Sequence, residues 1–186
     1  MRNGSPRDQS GYRRENGHWL IELRPGELHK LFHKLDPAPF RQKDLDPTVE
    51  EYVVEGFRDL GLERQPKIVI HLADTEAGSS EAQSLPVALR RYFDYRAEQA
   101  RLERRRLIRR GLTSLAIGLG FLFTCLWLRR YVTGNEMLTE GLQIIGWVAL
   151  WRPVQIFLYD WWPIYRRQRR YQQIAQLPVE VRGRPG

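Results

Sequence analysis

Residues 85–128 read LPVALRRYFDYRAEQARLERRRLIRRGLTSLAIGLGFLFTCLWL. The first half of this stretch is charged and ends in the arginine-rich run RLERRRLIRR, whereas residues 111–128 carry no charge. An uncharged, largely apolar run of this length is sufficient for one helix to cross a bilayer. Because no turn signal separates the halves, the sequence predicts a basic helical stalk, residues 85–110, that continues into a transmembrane helix, residues 111–130.

A second apolar segment covers residues 141–165, and it is interrupted by Arg152, Pro153 and Asp160. A charge inside a bilayer is costly and usually has a partner, and a proline removes a backbone donor and kinks a helix. The segment is therefore expected to be either a kinked transmembrane helix or a re-entrant one. Arg152 is expected to pair with an acid, which is either Asp160 or a residue of a partner subunit. The alternative, for a re-entrant or interfacial segment, is that the Arg152 side chain reaches the lipid headgroups.

Charge is distributed unevenly along the chain. The formal net charge of +8 combines +2 over residues 1–18, −5 over residues 19–84 and +11 over residues 85–186. Eight arginines lie in residues 91–110, two follow the first apolar span and six lie in residues 166–184. By the positive-inside rule, this asymmetry predicts a multi-pass protein of the inner (plasma) membrane with both termini in the cytoplasm.

The arginines next to the first span are candidate lipid contacts. Arginine binds phosphate well, and basic residues beside a span are attracted to anionic headgroups. The predicted contacts with the anionic bilayer surface are Arg104, Arg105, Arg106, Arg109 and Arg110. Their position beside an apolar span argues against a nucleic-acid partner.

The N-terminal part predicts a small cytosolic α+β domain, residues 18–84, after a disordered polar tail, residues 1–17. Its order is strand, helix, helix, strand, and the elements are predicted at residues 19–24, 27–35, 47–60 and 67–72. Asp46 is the expected N-cap of the second helix and Gly61 its C-terminal stop. So small a core is marginal. The start of the long helix is therefore expected to pack on it, with dimerisation through an exposed sheet edge as the alternative. The residues expected to make this contact are Leu85, Val87, Leu89, Tyr92 and Phe93.

The whole chain is thus predicted to be an α-rich membrane protein. A short outer loop, residues 131–140, joins the two spans, and residues 166–186 form a basic cytoplasmic tail. The first span contains two small-x3-small patterns, Ser114-x3-Gly118 and Ala116-x3-Gly120. Such patterns permit close helix approach, so they are expected to seat the second span or, alternatively, a homodimer contact.

Candidate chemistry is sparse. His29 and His33 are four residues apart, which brings two imidazoles to one side of a helix, so they are weak candidates for a metal site; the alternative is a half-exposed helix edge. Acidic residues at the second predicted helix are expected to cap it and to favour its dipole. They are Asp44, Asp46, Glu50 and Glu51. No phosphate-binding loop, nucleophile elbow or CxxC motif occurs, which predicts a non-enzymatic protein without a cofactor.

The string IELRPGELHKLFHKLDPAPFRQKDLDP (residues 21–47) is followed by EEYVV, KIVIHL and YFDYRAE and by the two apolar segments. In these motifs the chain resembles a group of uncharacterised bacterial integral membrane proteins, and the resemblance covers most of the chain. It implies the two-span architecture with a small N-terminal domain, and it implies no activity.

The leading functional hypothesis is a membrane-anchored, non-enzymatic scaffold or adaptor that presents its small cytoplasmic domain to an unknown protein partner. The alternative is an oligomeric membrane component of a transport or lipid-handling assembly, since two spans alone cannot enclose a pathway. An enzyme would need a pocket between the two helices of the small domain.

Overall fold

The computed structural model describes residues 11–32, 44–131 and 136–184. Within the described residues, four strands form one small sheet. The strands are β1 (Arg13–Glu15), β2 (His18–Leu23), β3 (Pro66–Ala73) and β4 (Val179–Arg184), in the order β1-β2-β3-β4. β1 and β2 are antiparallel, whereas β2, β3 and β4 are parallel to one another. The sheet therefore combines strands from both ends of the chain, where the sequence predicted two strands only.

The hairpin of β1 and β2 lies where the sequence predicted the end of a disordered tail. Its turn is Asn16-Gly17, with φ of 49° and 85° at the two residues. Two-residue hairpin turns of this kind need positive φ at both positions, which Asn-Gly adopts readily. β1 therefore corrects the prediction of disorder within the described part of residues 1–17.

The connections between the parallel strands carry the helices. Between β2 and β3 lie a 3-10 turn (Leu28–Leu31) and α1 (Pro47–Leu60). Between β3 and β4 lie α2 (Asp74–Ala77), α3 (Ser80–Arg129), α4 (Glu136–Val148), α5 (Trp151–Gln155), a π-helical turn (Ile156–Asp160) and α6 (Trp161–Ala175). The crossover from β3 to β4 thus contains both apolar segments.

The termini of α1 are the ones that the sequence predicts. Asp46 Oδ1 accepts a hydrogen bond from Thr48 N at 2.9 Å, and Pro47 occupies the first helical position. Gly61, with φ of 65°, donates its N–H to Phe57 O at 2.9 Å. A positive φ favours glycine at the end of this helix. The predicted N-cap at Asp46 and the predicted C-terminal stop at Gly61 are both confirmed.

The helix predicted at residues 27–35 is only a short 3-10 turn in its described part. Phe32 is extended, with φ of −117° and ψ of 153°, and it forms an antiparallel bridge with Leu45. The N–H of Asp46 donates to Leu31 O at 2.9 Å. This long-range pairing competes with helical hydrogen bonding, which explains why apolar spacing alone misled the prediction. Residues 33–35 lie outside the described residues.

The chain divides into two compact units, which we call the α/β unit (residues 1–97 and 169–186) and the helical unit (residues 98–168). The core of the α/β unit includes Ile21, Ile70, Leu85, Phe93 and Ile174, each at most 2% exposed. Phe93 belongs to α3 and Ile174 to α6. The segments on both sides of the helical unit therefore complete one core, and the predicted tail, residues 166–186, is instead the end of α6 followed by β4.

The start of the long helix packs on the small domain, as the sequence predicted. α3 begins at Ser80, after Ser79, whose Oγ accepts a hydrogen bond from Ala82 N. The expected contacts Leu85, Leu89, Tyr92 and Phe93 are buried. Val87 was expected with them but is 61% exposed, so that part of the prediction is wrong.

Within the part of the chain that the structure describes, two helices are long and apolar enough to cross a membrane by length and composition. They are Ser80–Arg129, which is α3, and Glu140–Ala175, which takes in most of α4 and all of α5 and α6. The second one changes its helical geometry at residues 149–150 and again in the π-helical turn.

Candidate functional site

The carboxylate of Glu50 lies at the centre of a polar cluster in the α/β unit. Tyr92 Oη donates to Glu50 Oε2 at 2.6 Å, and Tyr171 Oη donates to Oε1 at 2.7 Å. Arg96 donates to the same Oε1 through Nε at 3.0 Å and Nη2 at 2.9 Å. The guanidinium of Arg96 also lies over the ring of Tyr171, 5.6 Å from its centroid. We call these four residues the Glu50 cluster.

The Glu50 cluster joins three helices. Glu50 is in the first turn of α1, Tyr92 and Arg96 are on α3, and Tyr171 is on α6. Residues four apart share one face of a helix, so Tyr92 and Arg96 both face α1. The two chain segments that lead into the helical unit are therefore bonded to one carboxylate.

Glu50 is held in its ionised form. Its side chain is 12% exposed. Burial raises the pKa of Glu50, but the hydrogen bonds from Tyr92, Tyr171 and Arg96 outweigh burial and leave that pKa below the ordinary glutamate value. Burial and the hydrogen bonds to Glu50 raise the pKa of Tyr92 and of Tyr171. Because both carboxylate oxygens are occupied by donors, the cluster suits holding helices together better than accepting a proton from a substrate.

The sequence explained Glu50 by the helix dipole, as one of four acids at the start of α1. Asp46 does cap that helix, whereas Glu50 bonds to residues 42, 46 and 121 positions away. Glu51, beside it, is exposed. No local pattern distinguishes Glu50 from Glu51, since the donors of Glu50 come from distant parts of the chain.

The histidine pair does not form the helical site that its spacing suggested. His29 is exposed on the 3-10 turn, and this turn ends before residue 33. His33 lies outside the described residues. Within residues 11–32, 44–131 and 136–184, no group of three His, Cys, Asp or Glu side chains could hold a metal ion.

A second polar cluster joins the two edge strands of the sheet. Arg182 on β4 donates to Glu15 on β1 through Nη1 at 2.8 Å and Nη2 at 3.1 Å, and to Glu180 through Nε at 2.7 Å. Lys67 on β3 also pairs with Glu180. Hydrogen bonds from Arg182 and Lys67 lower the pKa of Glu180 to about 2, and the bond from Arg182 lowers the pKa of Glu15. These acids therefore stay ionised at neutral pH and connect β4 to the rest of the sheet.

Three glycines of the helical unit lie where two helices are in close contact. They are Gly111 against Ile156, Gly118 against Ala149 and Gly146 against Leu122. A Cβ on Gly118 would lie 2.9 Å from Ala149 O, whereas a Cβ on Gly120 would have no neighbour within 4 Å. Of the two small-x3-small patterns, the one ending at Gly118 therefore seats the second helix of the same chain, and the one ending at Gly120 does not.

The contact at Gly118 coincides with the break between α4 and α5. Pro153 has no N–H to donate to the carbonyl of Ala149, four residues earlier. That carbonyl oxygen instead faces Gly118, where a side chain would collide with it. The helix is thus broken at residues 149–150, close to Pro153, and the absence of a Cβ at Gly118 makes room for the Ala149 carbonyl.

Replacing Gly118 with leucine will separate these two helices, because the new side chain overlaps the Ala149 carbonyl. Overpacking of this kind costs about 1–3 kcal/mol. The change will lower the midpoint of thermal unfolding in detergent, followed by tryptophan fluorescence. Gly120→Leu is the matched control, since it adds the same side chain at an open position. Equal shifts for the two variants would contradict the contact.

Arg152 and Asp160 lie within ion-pair distance of each other. Arg152 Nη1 is 3.5 Å from Asp160 Oδ2 and 3.3 Å from Gln155 Oε1. Eight residues of straight α-helix would separate the two positions by about 12 Å along the axis. A π-helical turn, which is wider than an α-helical turn, lies between Arg152 and Asp160. This turn and the length of the arginine side chain bring the two charges together. The Arg152 side chain is 63% exposed, so the pair lies on the surface of the helical unit.

The arginines predicted to contact lipid lie on α3 just before its apolar run. Arg104 lies over the ring of Tyr165 on α6, 5.3 Å from its centroid. The other four, Arg105, Arg106, Arg109 and Arg110, are exposed. Arg167 on α6 pairs with Glu103 on α3. Basic residues of both helices thus form one surface.

An apolar groove of about 560 Å³ lies along α4 and α5. It is lined by Glu140, Gln143, Ile144, Trp147, Val148 and Trp151. Gln143 Oε1 accepts a hydrogen bond from Arg129 Nη1 at 2.8 Å. The groove is therefore polar near the start of α4 and aromatic near α5.

Comparisons of the chain with known protein families, with curated proteins and with solved structures find no match.

Proposed function

We propose that the chain is a membrane-anchored, non-enzymatic module that holds its α/β unit at the cytoplasmic face of the inner membrane and presents it to a protein partner. The observation that carries this proposal is the place of the helical unit in the chain. It is inserted between two segments, residues 80–97 and 169–175, that share the core of the α/β unit.

This insertion supports a two-span topology independently of charge. Residues 97 and 169 belong to one compact unit, so the chain must return to the side from which it left. Two helices of sufficient length and apolarity lie within or extend into the insertion, and a return requires an even number of crossings. The arginine asymmetry supports the cytoplasmic side for the α/β unit.

The basic surface of the helical unit supports contact with anionic headgroups. Residues 104–110 precede the apolar run of α3, and Arg166 and Arg167 follow the apolar part of α6. Each basic residue near an anionic membrane surface contributes about 1 kcal/mol of attraction. Tryptophan and tyrosine near these arginines suit the same interfacial layer.

The Glu50 cluster supports the proposal that the chain positions its α/β unit for a protein partner. Its carboxylate is saturated by donors from α3 and α6, so the two attachment points of the helical unit are part of the folded core. The chain therefore enters and leaves the helical unit from within the folded core of the α/β unit.

Cysteine accessibility tests the anchoring. In a Cys125→Ser background, Gln83→Cys and Gln176→Cys will be protected from a membrane-impermeant thiol reagent in spheroplasts, and Asn135→Cys will be labelled. All three will react after the membrane is permeabilised. Gln83 and Gln176 are both exposed, so protection cannot come from burial in the protein. Labelling of all three positions from the same side would contradict the two-span topology.

Purification in mild detergent followed by mass analysis tests the presentation of the α/β unit. A defined second protein is the expected result. A homo-oligomer larger than a dimer that retains lipid and no other protein would favour the transport or lipid-handling alternative. A lone monomer with a bound metabolite would contradict the non-enzymatic proposal.

A further inference from the structure

β4 is an edge strand with one unpaired side. It pairs with β3 from Val179 to Arg184, and no other strand of the described residues lies beside it. The opposite edge of the sheet is β1, which has only three residues. Long edge strands are templates for pairing with another chain, whereas very short ones are protected. β4 is therefore the edge at which a further strand fits best.

The register with β3 shows which backbone groups of β4 are free. Ile68 N donates to Pro178 O at 3.0 Å, so the carbonyl of residue 178 points toward β3. Backbone groups alternate between the two sides of a strand. The N–H and C=O groups of Glu180 and Arg182 therefore also point toward β3, and those of Val179, Val181 and Gly183 point to the open edge.

The sequence of the open edge is complementary to itself. We propose that a second copy of this chain pairs antiparallel with β4 about a two-fold axis at Val181, which joins the two sheets into one. In this register Val181 lies opposite the partner's Val181, and Val179 lies opposite the partner's Gly183. The backbone N–H and C=O groups of these residues point to the open edge, so each pair can exchange both N–H···O bonds. Asp74 of α2 lies beside Gly183.

Charge favours the same register. Glu180 lies opposite the partner's Arg182, and Arg182 lies opposite the partner's Glu180. These are the non-hydrogen-bonded pairs of an antiparallel ladder, in which facing side chains come closest. The ion pair that Glu180 and Arg182 form within each chain would thus extend across the axis, while Arg182 keeps its bonds to Glu15. Opposite charges at facing positions stabilise a ladder, and like charges destabilise it. A slip of the register by two residues in one direction places Arg182 opposite the partner's Arg182. A slip in the other direction places Glu180 opposite the partner's Glu180. An interface in which one patch contacts itself is the ordinary arrangement of a two-fold dimer.

This pairing is inferred from β4 alone and does not rest on the partner protein proposed above. The Val181 side chain packs on the core of its own unit, and only the backbone edge of β4 and the charges of its outer face are used. The proposal therefore stands or fails independently of the proposed function.

Cross-linking of the full-length chain tests the register directly. In a Cys125→Ser background, Val181→Cys will be converted to a covalent dimer by a short bifunctional thiol reagent, because paired residues of this kind have Cα atoms about 5.5 Å apart. Glu63→Cys, at an exposed position away from β4, is the matched control and will remain monomeric. Equal cross-linking of the two variants, or none for Val181→Cys, would overturn the proposal.

A proline at position 181 tests the role of the edge donors. Val181→Pro removes an N–H that points away from β3, and proline is tolerated on edge strands in that orientation. The dimer fraction measured by native mass spectrometry will fall about tenfold or more relative to Val181→Ala, which keeps the N–H. Dimers of equal abundance in the two variants would overturn the proposal. If Val181→Pro unfolds, as judged by hydrogen exchange of β3, the cross-linking result decides alone.

Discussion

A chain that ends at residue 97 will not fold, although it contains the whole small domain that the sequence predicts at residues 18–84. Such a chain lacks β4, so β3 loses a partner over its register from Ile68 to Ala73. It also lacks Tyr171, Ile174 and Ala175, which are at most 8% exposed in the core. Loss of one buried isoleucine side chain alone costs about 2–5 kcal/mol, and the total stability of a domain is about 5–15 kcal/mol. Circular dichroism during urea titration will show no cooperative transition.

The matched control restores the missing segment without the helical unit. In this variant, a flexible Gly/Ser linker of about ten residues replaces residues 98–168. The joined ends are neighbours, because the guanidinium of Arg96 lies over the ring of Tyr171. This chain will unfold cooperatively. If the chain ending at residue 97 unfolds at the same urea concentration and with the same steepness, the dependence on β4 is refuted.

Glu50→Ala will destabilise the α/β unit by about 2–4 kcal/mol, because donors that are partly buried lose a charged acceptor. The hydroxyl groups of Tyr92 and Tyr171 and the guanidinium of Arg96 all bond to that carboxylate. The estimate stays below that for a fully buried ion pair, because the Arg96 side chain is 36% exposed. Hydrogen exchange of the β3 amides in the full-length chain measures the change.

Glu51→Ala is the matched control for Glu50→Ala. It removes the neighbouring carboxylate from the same helix, and Glu51 is exposed, so the stability will change by less than about 0.5 kcal/mol. Destabilisation of equal size in the two variants would show that the effect arises from the charge at the start of α1 and not from the Glu50 cluster.

The Glu50 cluster also predicts a pH dependence. Because the folded-state pKa of Glu50 lies below its unfolded value, the stabilisation is fully present above the unfolded pKa. It is lost as pH falls through the lowered pKa of the folded state, where the carboxylate becomes protonated. The stability difference between the parent chain and Glu50→Ala will therefore shrink on acidification. A difference that grows at acidic pH would contradict this assignment.

Local patterns in the sequence determined the first apolar span, α1 and the central strands β2 and β3. Each of these features depends on residues that are close together in the chain. They are the apolar run of residues 111–128, the Asp46 cap with Gly61, and the apolar run in β3. Period, capping and turn chemistry act over a few residues, so they can be recognised without knowing the tertiary structure. The break at Pro153 belongs to the same class, because a proline lacks its N–H in any fold. Two further local signals were overlooked when residues 1–17 and 166–186 were interpreted as tails. They are the Asn16-Gly17 turn and the alternation of apolar and charged residues over residues 179–182.

The tertiary structure alone decided which of these elements form one core. β4 pairs with β3 across the whole helical unit, so no neighbouring residue indicates its register. Glu50 differs from Glu51 only because α3 and α6 bring Tyr92, Arg96 and Tyr171 to it. The predicted first helix is shortened by the bridge between Phe32 and Leu45 for the same reason. Pairings between distant segments depend on how the whole chain packs, and a local sequence pattern carries no information about that packing.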